Sequence, residues 1–269
     1  MKNFIKVACA FYGIGVAGIG FQQFIYADFR PVLLPPWPLW MHSGALAYLT
    51  GAALISAGAC IILMKKIRTV SLLLGLFFLA MFMIFHVPYL LFINQYSPTN
   101  LGLWTDPLKE FALSGGAFVI AGFFDEETVD FKPERFSMPE KLITIGRVFF
   151  SITMIAFGID HFLYTDFVAT LVPSWLPGKV FWTYFAAVAL IGSGVAIILK
   201  IKLELVGRLL ALMLFLWLII LHIPRAIADP SSGNGNEITS VFEALAFSGI
   251  ALAIACTAKK QRVSIDYAT

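Results

Sequence analysis

The chain has 269 residues and a formal net charge of +3, with 59% hydrophobic residues, only 13% charged residues and a mean hydropathy of +0.86. Soluble domains carry about a quarter charged residues, so the composition excludes that class. Apolar blocks of about 17 to 24 residues recur along the whole length, each near what a helix needs to cross a bilayer. The small basic excess falls in short clusters between these blocks, which argues for membrane topology and against nucleic-acid binding.

Eight transmembrane helices are expected, at 4–25, 43–64, 69–92, 109–124, 142–163, 181–199, 204–224 and 239–258. The first has the basic lead of a signal peptide, but its apolar core runs on to Phe24 and recurs at Ile143–Leu163, so an uncleaved span is expected. Small residues punctuate most spans, as in AFYGIGVAGIG and SGGAFVIAG, and allow close helix approach where water cannot drive association. The loops PVLLPPWPLW, NQYSPTNLGLW and VPSWLPGKVFW suit an interfacial aromatic belt or a cap over a pocket between helices. The prolines deny a regular helix across Pro35 to Pro38. The charged stretch Asp125 to Lys141 reads as a linker, with Ser137 or Glu140 near the start of the next helix. Cys9, Cys60 and Cys256 form no CxxC and lie in or at the end of apolar runs, so neither a disulfide scaffold nor a metal site is expected.

The segment Gly20–Trp37 (GFQQFIYADFRPVLLPPW) returns as Gly158–Trp175 (GIDHFLYTDFVATLVPSW). AALISAGACIIL (Ala52–Leu63) then aligns with VALIGSGVAIIL (Val188–Leu199), and FHVPY (Phe85–Tyr89) with LHIPR (Leu221–Arg225). This is an internal repeat of about 135 residues. The expected architecture is all-α, with two parallel-repeat four-helix bundles, 1–124 and 142–269, joined by a cytoplasmic linker at 125–141. Eight spans place both termini on one side, together with fifteen of the nineteen basic residues, and that side is read as cytoplasmic. Equal orientation of the halves implies a repeat axis along the membrane normal.

All four histidines, His42, His86, His161 and His222, fall toward the outer ends of spans, among Gln22, Gln23, Tyr26, Asp28, Glu110, Asp160, Tyr164, Asp166, Arg225, Asp229 and Glu243. Such groups are costly in lipid and are expected to face one another, a cavity or the interface. His86 and His222 each precede a proline by two residues, and a kink there would free the carbonyl of Ile84 or Ile220. Either each histidine ties its bundle to a tyrosine or backbone carbonyl, or it serves a ligand or proton site. Where the first half has Gln22, Gln23 and Tyr89, the second has Asp160, His161 and Arg225, so a chemical site is expected in the second half, around Asp160, His161, His222 and Arg225. Adjacent helical residues diverge by about 100°. The spacing therefore admits either Asp160 orienting His222 or His161 facing it across the bundle. Such a set suits a quinone carbonyl or a lipid head group. No HxxxH pair points to haem.

GIDHFLYTDF, VPSWLP, WTYFAAVALIGSGVAIIL, His222 and FSGIALAIA, with their looser counterparts in the first half, resemble the DoxX-like membrane family, in duplicate. The resemblance implies a bacterial inner-membrane protein, an accessory or redox-linked subunit of the kind associated with quinone-linked sulfur oxidation or with thiol and oxidative-stress systems. It places the family's first-span histidine at His161, where the first half has Gln23, and its third-span histidine at His222 and His86. Tyr164, in the same motif, joins the expected binding set. Two further functions are compatible with these features: a structural or chaperone-like protein that binds another membrane protein, and a small-solute or proton-coupled transporter. Labelling of intact cells with a membrane-impermeant amine reagent is expected to spare Lys65 and Lys132; modification of either would contradict the topology.

Overall fold

The computed structural model describes residues 2–37, 43–124 and 138–266, so His42 and residues 125–137 of the expected linker lie outside the described residues. Every regular element described is helical: α1 (Lys2–Tyr26), α2 (Gly44–Ile62), α3 (Ile67–Met81), α4 (Thr105–Phe123), α5 (Met138–Leu163), α6 (Thr165–Leu171), α7 (Lys179–Ile198), α8 (Leu203–Trp217), α9 (Ile223–Ala228) and α10 (Ser232–Asp266). Short helical turns extend α3 and α8, and among the described residues seven helical runs are long and apolar enough to cross a membrane. The protein is thus an all-α, multi-pass membrane protein.

The expected span 109–124 is α4, which begins earlier, at Thr105. Its first turns carry Asp106, Lys109 and Glu110, and nearly every residue from Pro107 to Gly122 is buried. A helix this charged is tolerated because protein, not lipid, surrounds it. At the start of α5, Pro139, Glu140 and Lys141 are helical rather than part of the linker. The loop after α5 departs from expectation too, because residues 165–171 form α6.

Long interfaces join α1 to α2, α4 to α5, α5 to α7, α3 to α4, and α8 to α10. Equally extensive is the packing of α1 on α10. These two helices run antiparallel: Gly249 meets Ala8 and Tyr12 at one level, and Gln22 reaches Gly235 at another. The start of α1 therefore lies beside the far part of α10. The first helix of each half packs on the last helix of the other, so the two halves share one interior.

Short connections and polar anchors recur in kind. Met64 and Lys66 are left-handed in the α2–α3 turn, as Lys200 and Lys202 are in the α7–α8 turn. Ser114 Oγ donates to the Gly75 carbonyl at 2.8 Å, and Ser248 Oγ to that of Ala211 at 2.9 Å. The prolines after His86 and His222 are accommodated by π-helical turns at Phe82–His86 and Leu218–His222. There Val87 and Ile223 bond to the carbonyls of Phe82 and Leu218. The expected disturbance before each proline is thus a widened turn, which swings the imidazole round relative to a regular helix.

Backbones touch where α4 crosses α5. A Cβ on Gly115 would lie 2.6 Å from the Gly146 carbonyl oxygen, and a side chain on Gly146 would overlap the Gly115 carbonyl. Gly146→Leu is therefore expected to destabilise the protein by about 1–3 kcal/mol or more through overpacking. Gly192→Ala, whose added Cβ would meet nothing beyond its own helix backbone within 4 Å, should be neutral or slightly stabilising. Thermal denaturation in detergent compares the two, and equal midpoints would contradict the packing.

Candidate functional site

Ionisable and amide side chains from both halves meet at one end of the shared interior. The run Gly233–Asn234–Gly235 is left-handed, a conformation open to glycine and tolerated by asparagine, and it interrupts the start of α10. Its carbonyls take two partners from the first half: Gln22 Nε2 donates to Gly235 O at 3.2 Å and Arg30 Nη2 to Asn234 O at 2.5 Å. Arg30 is fully buried, donates from Nε to Thr239 Oγ1 at 3.3 Å, and stacks 4.4 Å from the Tyr26 ring centre. Burial lowers its guanidinium below the usual arginine range, while Tyr26, Asp28 and Glu243 oppose that shift.

Lys109 is the second connector. Its Nζ lies 3.0 Å from Asp106 Oδ1 and 2.9 Å from Glu243 Oε2, the latter pair 14% and 4% exposed. The ammonium thus bridges a carboxylate on its own helix and one on α10. Beside it, Glu110 is fully buried, with Oε2 3.5 Å from His86 Nε2. That nitrogen also lies 3.3 Å from the Val32 carbonyl, a hydrogen bond that places the proton on Nε2. His86 Nδ1 and both Glu110 oxygens have no hydrogen bond among the described residues.

The expected binding residues divide among several roles. His86 does bond a backbone carbonyl, Val32 O, and is 1% exposed. His222 is half-buried, makes no hydrogen bond among the described residues, and stands in the field of Lys109, Glu237 and Arg225. Arg225 makes a two-pronged ion pair with Glu237, from Nε at 3.0 Å to Oε2 and from Nη2 to Oε1. His222 and Arg225 therefore do share one neighbourhood. His161 Nδ1 lies 2.6 Å from Phe157 O in its own helix, so the proton sits on Nδ1 and Nε2 is left as an acceptor. Asp160 Oδ1 is buried without a hydrogen bond among the described residues. Tyr164 is drawn away, its hydroxyl donating to Asn100 Oδ1 at 2.7 Å in the loop before α4. A shallow groove at the α5–α6 junction is lined by residues from Phe162 to Phe167.

Sequence reasoning overlooked Asp106, Thr239 and Glu237, and counted Arg30 and Lys109 only among the four basic residues on the side away from the termini. A usable signal was present. Lys109 precedes LSGGA (Leu113–Ala117) at the same distance that Glu243 precedes FSGIA (Phe247–Ala251), so opposite charges stand at matching places before matching motifs.

Comparison with protein-family models, curated proteins and solved structures returned no match. The residues alone carry the functional reading. Removing one partner of a buried ion pair strands the other, at a cost of about 3–5 kcal/mol, whereas replacing both by apolar residues is often neutral. Lys109→Met is therefore expected to lower stability in detergent by about that amount, and Lys109→Met with Glu243→Leu to recover most of it. A double variant no better than the single one would show that the bridge does not join the helices.

Proposed function

We propose that this protein is an inner-membrane accessory or redox-linked subunit, built from two similarly oriented repeats, whose second half binds the oxygen-bearing head of a quinone or lipid at His222. The resemblance to DoxX-like proteins supports this reading, as do the recurring turns, serine anchors and π-turns. On it, α4 counts as the eighth span, both termini are cytoplasmic, and the polar end of the bundle faces outward.

One observation carries the placement. At matching positions before a proline, His86 is sealed and bonded to Val32 O, whereas His222 is half-buried with no hydrogen bond among the described residues. A half-buried imidazole next to the Arg225–Glu237 pair is able to donate to a carbonyl or accept from a hydroxyl. The Arg225–Glu237 pair supplies the polar wall beside it. The transport alternative gains less support, because the buried acid–base pairs gather at one end of the bundle and do not trace a route across it.

Mass spectrometry of extracts from the purified protein is expected to recover a co-purifying quinone or lipid. Titration with a decyl-substituted benzoquinone should give saturable binding that His222→Ala weakens about tenfold or more, while His222→Gln, which keeps a donor, retains part of it. Equal binding by the wild type and both folded variants would overturn the proposal.

A further inference from the structure

The two halves differ in the segment that follows their first helices. In the first half, residues 30–34 form a turn, with Leu33 N and Leu34 N bonding to Arg30 O at 2.8 and 3.1 Å. Val32, Leu33 and Leu34 are buried at 0%, 0% and 6% exposure. Their counterparts at the repeat offset, Thr170, Leu171 and Val172, lie at the end of α6 and just beyond it. Thr170 is exposed and Leu171 is only half-buried, Val172 alone of the three is buried, at 4% exposure, and the helix rests against α7. Arg30 accounts for the contrast. Its bonds to Asn234 O and Thr239 strap the first segment to α10, and the corresponding residue of the second half is Val168, which has no such donor.

The inserted turn leaves hydrogen-bonding capacity around it unused. Among the described residues His86 Nδ1 and both Glu110 oxygens are buried without hydrogen-bond partners, and both side chains are at most 1% exposed. An apolar turn that merely completed a core would be expected to meet apolar walls. Here its one polar contribution to His86 is the Val32 carbonyl, and the rest is branched hydrocarbon.

We infer that the first half holds a second binding site for a carbonyl-bearing amphipathic molecule, at His86 and Glu110, and that the chain's own turn from Arg30 to Leu34 occupies it. The Val32 carbonyl stands where the ligand's oxygen would accept from His86 Nε2, and the Val32, Leu33 and Leu34 side chains stand where its apolar body would lie. Glu110 would accept from any hydroxyl next to that oxygen. This rests on the proposed site at His222 for the ligand class, and on the matching of His86 with His222 for the placement.

The test is the number of decyl-benzoquinone molecules bound per purified, folded chain. Wild type should bind one. Val32→Ala/Leu33→Ala/Leu34→Ala should bind two, and adding His86→Ala should return it to one. Leu33→Ala alone, a milder opening, should give partial occupancy of the second site if the triple variant fails to fold. A plug variant that stays at one, with only solvent entering, overturns the inference but leaves the His222 site standing. Wild type binding none, with a His86-dependent gain of one on opening the plug, overturns the His222 site but supports this one.

Discussion

The Lys109 bridge to Glu243 is the interaction on which the arrangement depends. Seven apolar helices in lipid gain little from the hydrophobic effect when they associate, so geometry must come from close packing and from polar groups that have nowhere else to go. A lysine and a glutamate at matching places in α4 and α10 meet that need. Each would be prohibitively costly alone, and together they set which helices are neighbours and at what level. Arg30 adds a second fastening a short way off, with the left-handed carbonyls of the Gly233–Gly235 run as its receptor.

With those fastenings in place, the two halves no longer carry the same environment. The strapped turn covers His86 and gives it a carbonyl, while the segment after α5 forms a short helix against α7, and His222 is only half-buried. Arg30, with Val168 at the matching place in the second half, is the residue that ties the first segment to α10. The Arg225–Glu237 pair deepens the contrast by placing charge beside the open imidazole, where the first half has Tyr89 in place of the arginine.

Much of this was legible in the residues. Apolar blocks announced the helices, the small-residue runs marked where backbones meet, and the histidine–x–proline pairs marked the widened turns. Long-range partners were less visible. Nothing local to Arg30 predicts that it crosses to residues 234 and 239, because that contact depends on a left-handed run whose purpose appears only once α1 and α10 lie side by side. Tyr164 misled for the opposite reason: it sits in the repeated motif with its neighbours, yet its hydroxyl is taken by Asn100. The charged start of α4 resembled the flank of a span, and only burial on all sides distinguishes it.

The most direct test is thiol labelling at the paired positions. In a chain whose three cysteines, Cys9, Cys60 and Cys256, are replaced by alanine or serine, a single cysteine is placed at His86 or at His222 and exposed in intact membranes to a small polar thiol reagent. Rapid modification at position 222 and protection at position 86 is the predicted result. Equal reactivity at the two would contradict the distinction between a sealed and a partly exposed histidine.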